Sequence, residues 1–517
     1  MKFKPAVRWL FSFVLVSTSH LLADSIELHI RSCIESPKGS SEWVTVENST
    51  QWDSKRTALV VCDMWNQHWC KGATARVAEM ASRMNAVIRE ARHRGVFIIH
   101  CPSDTMKYYE GTPQRKLAQT APRVTGPASL EKWCGLERER EGKLPIDDSD
   151  GGCDDSPPCH GGSPWTHEID TIEIKEGDAI TDSAEAYYLM QQRGITNLIV
   201  LGVHGNMCVL GRPFSIRQMV HRGENVVFMR DMIDTMYNSR MPPHVNHFAG
   251  TDLIIEHIEK YWCPSITSVD FLNGVPFHFE ADKRPHVVFV IGENEYHTWE
   301  TLPEFARHEL VKRGVRCSFV TASPRQGDNA FANYKLITEA DLLVISARRR
   351  TPPKEMMGLI RAHVNAGKPV AGIRTASHAF GAKPEDDQHE GWMDFDVEVL
   401  GCNYQNHYNN KEQVHVKTLA AVAHPVLTGV PTNDLPVSSS LYRNRNPGNG
   451  VVPLMSGRVE GQSQEEPVAW VNTAKNRRVF YTSLGNTNDF KQPFFRRLLL
   501  NGILWSLNQP IPPANEP

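Results

Sequence analysis

Short apolar runs separated by stretches of helical period constrain this chain more than any other feature. Ala58–Cys62, Val96–Ile99, Asn197–Val203 and Asn225–Met229 carry almost no polar residue, the mark of strands covered on both faces. Between the first two, Val77, Met80, Met84, Val87, Ile88 and Ala91 recur at helical spacing and Gly95 ends the pattern. Cys208–His221 reads as a further helix. Strands alternating with helices predict a mainly parallel sheet flanked by helices. A second series begins after Pro264–Arg284, with strands at Val287–Ile291, Cys317–Val320, Leu342–Ile345, Pro369–Ile373 and Val479–Ser483 and a closing helix at Phe494–Leu507. The halves show no internal repeat. At 517 residues the chain exceeds one ordinary core, so two α/β domains are expected, at 24–265 and 285–517, joined by a linker at 266–284.

Charge excludes one class of partner. Lys and Arg number 56 against 59 Asp and Glu, and without a basic block a nucleic-acid ligand has no electrostatic footing. Lys2, Lys4 and Arg8 precede the apolar Trp9–Val16, and small residues lead to Ala23. That order is a cleavable signal peptide over 1–23, and its apolar core is too short for a permanent span. An exported protein, secreted or periplasmic and without a stable membrane span, is expected. Its oligomeric state is not legible.

Export permits disulfides, and eleven cysteines leave one over, as a nucleophile would. An irregular insertion at 102–170 holds Cys153 and Cys159, expected to pair with each other or with Cys134. It also holds Asp147, Asp148, Asp150, Asp154 and Asp155. Asp148-Ser149-Asp150-Gly151 offers oxygen ligands at alternate positions, as a calcium loop does, but lacks the downstream Glu. A solvated, disulfide-stapled lid is the favoured reading.

Three polar residues fall at strand ends, where parallel sheets gather function. Asp63 ends Leu59-Val60-Val61-Cys62-Asp63, Lys175 follows Ile172-Glu173-Ile174, and Cys208 follows Gly202-Val203-His204-Gly205-Asn206-Met207. Singly they read as a helix cap, a surface charge and a packed thiol. Together they supply a base, a cation favouring thiolate and a nucleophile. The implied chemistry is attack of Cys208 on a carbonyl carbon, with the amides of the following helix facing the oxyanion.

Ala58–Met64, Lys175–Ile180 and Gly202–Val209 resemble, in order, the Asp, Lys and Gly-Val-x-x-x-x-Cys-Val motifs of isochorismatase-like cysteine hydrolases, over Thr57–Ile254. The resemblance implies a Rossmann-like fold, a triad of Asp63, Lys175 and Cys208, and a cis Val203–His204 peptide shaping the oxyanion hole with Met207. Departures are Gly205-Asn206 for the usual Thr-Asp and Ile180 for Phe. The nicotinamidase branch carries Asp-x-His after its second strand, whereas this chain has His100-Cys101-Pro102-Ser103-Asp104, so no such metal and no cofactor are expected.

The second half resembles the ThuA-like (trehalose-utilisation) family, itself similar to the flavodoxin/amidotransferase-like fold. The carriers are Gly292–His297, Gly367–Thr375, Ala423–Val426, Pro467–Val471 and Arg478–Gly485. Amidotransferases would place a nucleophilic cysteine where Arg374-Thr375-Ala376-Ser377-His378 stands, so that activity is not expected. Ser439-Ser440-Leu441-Tyr442 replaces an acidic family segment, and Asn486 a frequent His. His297, Arg374, His378 and His424 are candidates for a sugar-sized pocket. The combined expectation is an exported hydrolase of small amide-type substrates acting through a Cys208 acyl-enzyme. The alternative is a carbohydrate-binding or carbohydrate-modifying protein whose first domain is silent.

Overall fold

The computed structural model describes residues 25–36, 38–39, 43–124, 130–323, 325 and 327–516; the expected signal peptide lies outside them. No helix among the described residues is long and apolar enough to cross a membrane. The chain forms two compact units, built mainly from 46–243 with 250–279 and from 280–517. Both are α/β.

In the first unit the strands are β1 (Ser25–Glu35), β2 (Trp43–Asp53), β3 (Thr57–Cys62), β4 (Phe97–Cys101), β5 (Ala179–Ile180), β6 (Asn197–Val203), β7 (Asn225–Asp234) and β8 (Ser265–Ile266). They lie in the order β2-β1-β8-β7-β6-β3-β4-β5. From β8 to β5 every pairing is parallel; β1 joins β8 antiparallel. β3 and β6 are wholly buried, which is why neither alternates. From β3 the chain steps outward to β4 and β5, then returns to β6 on the other side of β3. The order therefore reverses between β3 and β6, the kind of switch point at which parallel sheets gather function beyond the strand ends. Register brings Cys62 opposite both Gly202 and Cys101, so the residues after β3, β4 and β6 converge there. Gly202 makes that approach possible: a Cβ on it would lie 2.0 Å from the Cys62 carbonyl oxygen.

Two expectations for this unit are corrected. The helix after β6 spans Cys208–Gly211 and resumes only at Ile216–His221. Pro213 disfavours helical geometry in the residue before it, and Arg212 is extended at φ −66°, ψ 160°. The insertion, in turn, is held by its acidic side chains. Asn206 Nδ2 donates to Asp148 and Asn238 Nδ2 to Asp150, each at 2.7 Å. Buried Glu141 accepts from Arg217, His257 and Trp262, and these donors hold its carboxyl at about 2 against the opposing effect of burial. Cys134, Cys153 and Cys159 are thiols rather than disulfide sulfurs.

The second unit contains β9 (His286–Gly292), β10 (Arg316–Ala322), β11 (Phe331–Ala332), β12 (Leu342–Ala347), β13 (Val370–Ile373), β14 (Asn403–His407), β15 (Val414–Thr418), β16 (Leu435–Val437), β17 (Tyr442–Arg445), β18 (Val451–Val459), β19 (Glu465–Asn472) and β20 (Val479–Thr482). Its main sheet runs β11-β10-β9-β12-β13-β20-β19-β18-β15-β16, with β14 and β17 as a separate ribbon. β10, β9, β12, β13 and β20 are parallel, and β19, β18, β15 and β16 extend them antiparallel. That extension is absent from the sequence reading. Pro453 and Pro467 stand inside β18 and β19, and proline ordinarily demotes a run as a strand. Helix Pro493–Ser506 packs Phe495, Leu498, Leu499 and Ile503 into the core with Val287, Phe289 and Ile373.

Candidate active site

Asp63 leaves β3 in the left-handed region at φ 48°, with its carboxylate fully buried. Its Oδ1 accepts the Ser103 amide at 2.7 Å, and its Oδ2 faces Arg212 Nε at 3.3 Å. A second Arg212 nitrogen lies 3.3 Å from Asp104. Burial raises the Asp63 carboxyl above its usual range, and Arg212, Cys208 and Ser103 oppose that shift.

Cys208 is 8 % exposed. The Val203–His204 peptide before it is cis, the Gly205 amide donates to Asp234 O at 2.7 Å, and the Met207 amide donates to His204 O at 2.9 Å. The Met207 N–H is thus engaged within the turn. Ser215 Oγ donates to the Cys208 carbonyl at 2.7 Å. Burial, then the Asp63 charge, push the thiol well above its ordinary value, and Arg212 opposes them. Burial thus favours the protonated form of both groups, and one guanidinium opposes it at both.

Lys175 is not brought to this pair. Its side chain is 54 % exposed and its ammonium lies 3.2 Å from Glu173. The cause is local. Asp178 accepts the Lys175 backbone amide at 2.7 Å and is itself held by Arg92, which anchors the loop by its main chain and leaves the side chain in solvent. The cation beside Asp63 is Arg212, and its signal in the sequence was the Arg212-Pro213 pair, at which helical geometry is disfavoured. Trp133 from the insertion packs on the same turn: a Cβ on Gly211 would meet its ring at 2.8 Å, and the Arg212 guanidinium lies 5.9 Å from its centroid.

His100 also has partners that the sequence did not reveal. Its Nδ1 lies 2.7 Å from Glu168 and its Nε2 3.3 Å from Asp178. Burial works against the charged ring, but the two carboxylates prevail and raise it to about 9. His100 is thus an imidazolium clasp between β4, the insertion and the Lys175 loop. Nearby, Trp65 stacks on Trp165 of the insertion at 4.4 Å between centroids.

Of the four proposed pocket residues in the second unit, Arg374 and His378 share partners, both lying against Tyr442. Arg374, at φ 45° and buried, donates to Ser483 O at 2.8 Å, Ser440 Oγ at 3.0 Å and Tyr296 Oη at 3.2 Å. Its guanidinium lies over the Tyr296 and Tyr442 rings at 4.2 and 4.8 Å. His378 stacks on Tyr404 at 4.4 Å. Burial and the nearby arginines Arg349, Arg348 and Arg374 lower its ring to about 3, so it is neutral. His297 is half exposed, near Glu300. His424 caps a short helical turn, its Nδ1 accepting the Val426 amide at 3.2 Å, and its ring meets Trp505. The group that assembles is therefore Arg374 and His378 with Tyr296, Tyr404, Tyr442 and Ser440. Tyr296, Ser440 and Tyr442 lie inside sequence segments singled out for other reasons.

Residues 278–506 match the family model described as ThuA, trehalose utilisation. No curated protein matches the chain. Solved structures similar to parts of it include a ThuA-like protein from Parabacteroides merdae ATCC 43184, at 20 % identity over 44 % of this chain and 90 % of that one, with a TM-score of 0.34. A cysteine hydrolase from Pseudomonas syringae pv. phaseolicola 1448A is 18 % identical over 42 % of this chain and 92 % of its own, with a TM-score of 0.27. An isochorismatase family protein from Burkholderia thailandensis is 13 % identical over 42 % and 93 %, with a TM-score of 0.23.

Proposed function

We propose that the first unit is a metal-independent cysteine hydrolase acting on a small amide-type substrate, in a protein exported by its residues 1–23. The observation that carries this reading is the buried Asp63 carboxylate, fixed by Ser103 and Arg212 and acting on the nearly buried Cys208 thiol. A structural thiol has no use for a carboxylate base and a balancing guanidinium at a switch point. As the Cys208 sulfur bonds to the carbonyl carbon, its proton passes to Asp63. Collapse of the tetrahedral adduct breaks the C–N bond, and the same proton leaves with the amine. Water then adds to the thioester with Asp63 again as base, releasing the acid and restoring the thiol. Arg212 holds the single negative charge as it moves between oxygen and sulfur.

A screen of small amides and esters tests this, comparing wild type with Cys208→Ser and Asp63→Asn. Turnover of an amide lost in both variants supports the reading. Turnover that survives in Cys208→Ser sinks it. A second reading rests on the aromatic group around Arg374: stacked rings beside a neutral imidazole suit a sugar's apolar face and hydroxyls. Saccharide binding by calorimetry, abolished in Tyr404→Ala and unaltered in Cys208→Ser, would favour a carbohydrate-directed role for the second unit.

A further inference from the structure

Three thiols outside the catalytic turn converge on one carboxylate oxygen. Cys70, Cys159 and Cys153 place their sulfurs 3.4, 3.2 and 3.5 Å from Asp155 Oδ2. The Gly72 amide also donates to that oxygen, at 3.1 Å. Four donors exceed what one carboxylate oxygen accepts through its two lone pairs, so as a hydrogen-bonded cluster the group is overfilled. As a ligand set it is well proportioned. A tetrahedral zinc with Zn–S of about 2.3 Å and Zn–O of about 2.0 Å separates sulfur from oxygen by about 3.5 Å. The ligand atoms of Cys70, Cys153 and Asp155 all lie within 4.8 Å of one another; Cys159, held to Asp155 at 3.2 Å, lies outside that mutual group and would have to close in on a bound ion.

We propose that Cys70, Cys153 and Asp155, completed by Cys159, form a structural site for one zinc ion, clamping the 102–170 insertion to the core beside the nucleophile turn. Thiolates select a soft or borderline cation over calcium or magnesium. Backbone donors already face the ligand atoms, as outer-shell partners do in metal sites. Ala73 N–H points at Cys70 Sγ and Cys159 N–H at Cys153 Sγ, both at 3.4 Å. Binding releases three thiol protons and leaves a net charge of −2 on the ion with its three thiolates and one carboxylate. Two cations border the site: Arg240, which donates to the carbonyls of Cys153 and Asp155, and Arg76, shared between Asp154 at 2.8 Å and Asp234 at 2.7 Å. Cys70 caps helix Lys71–His93, whereas the other three ligands come from the insertion. Met207, the neighbour of Cys208, packs against the cluster.

The test uses the full chain, purified in reductant without chelator and dialysed against Zn²⁺ and then metal-free buffer. The expected result is one zinc per chain by elemental analysis. Replacement by Co²⁺ should give the intense sulfur-to-cobalt absorption and the visible bands of a tetrahedral thiolate site. Cys70→Ser should abolish retention and Cys159→Ser should weaken it at least about tenfold, while Cys134→Ser, in the separate Cys134–Glu137–His221 group, should retain it. The cobalt spectrum of the wild type serves even where a variant fails to fold. No retained zinc and no thiolate-to-cobalt band would overturn the proposal. A disulfide between any two of Cys70, Cys153 and Cys159, found by non-reducing peptide mapping of exported protein, would also overturn it.

Discussion

Exchanging Arg212 and Lys175 as targets separates two versions of the catalytic group. Arg212 Nε lies 3.3 Å from a fully buried Asp63 oxygen, and at an effective dielectric of about 20 two unit charges at that spacing attract by about 5 kcal/mol. The Arg212 side chain keeps 19 % of its surface in solvent, so screening brings the working figure to about 2–3 kcal/mol. Loss of the cation leaves the Asp63–Cys208 pair to take up an extra proton, because burial already pushes both groups up. Arg212→Gln should therefore move the pH profile of Cys208 alkylation about 2 pH units higher, since each unit corresponds to about 1.4 kcal/mol. Below the wild-type midpoint, the labelling rate should fall about 100-fold. Arg212→Lys should restore part of it. Lys175→Ala, which removes a charge already in solvent beside Glu173, should stay within about twofold. The assay is iodoacetamide labelling read by mass spectrometry of the Cys208 peptide, which separates it from the other cysteines. If Lys175→Ala moves the profile and Arg212→Gln does not, the assignment of the cation is wrong.

Stability should fall as pH rises through about 9. Because the folded His100 is raised to about 9 from 6.5, its contribution is complete below 6.5 and vanishes above 9. It amounts to about 3 kcal/mol, which calorimetric melting should register and His100→Gln should abolish; an unchanged slope in that variant would refute the clasp. Gly202→Ala places a methyl group 2.0 Å from the Cys62 carbonyl oxygen, at a backbone φ of 112°. It should cost about 3 kcal/mol or more by denaturant unfolding; a loss below about 1 kcal/mol would mean that β3 and β6 part easily. Asp148→Ala, which removes the partner of Asn206, should cost about 1–2 kcal/mol. It should also slow Cys208 labelling several-fold, and unaltered labelling would mean that the insertion does not support the nucleophile turn.

Much was legible in the residues alone, and for a local reason. Buried parallel strands write themselves as unbroken apolar runs, so β3, β4, β6, β9 and β12 could be placed from Ala58–Cys62, Val96–Ile99, Asn197–Val203, Val287–Ile291 and Leu342–Ile345. The meeting of Asp63 and Cys208 follows from that alternation, because chain order and strand ends suffice to bring them to one edge of the sheet. What a side chain finds across that edge depends on contacts distant in sequence. Lys175 stands at a motif position, yet Asp178 and Arg92 anchor its loop by the backbone and turn the ammonium outward. Arg212 enters only because Pro213 ends the helix at the point where Asp63 has burial to offset. His424 looked like His378 in sequence, but one caps a turn beside Trp505 and the other stacks on Tyr404. The acidic insertion read as solvent-facing because charge is normally solvated; its carboxylates instead hold Asn206, Asn238 and Arg76. Periodicity reports which face of an element is buried, and only tertiary packing decides which polar groups share the burial and must satisfy one another.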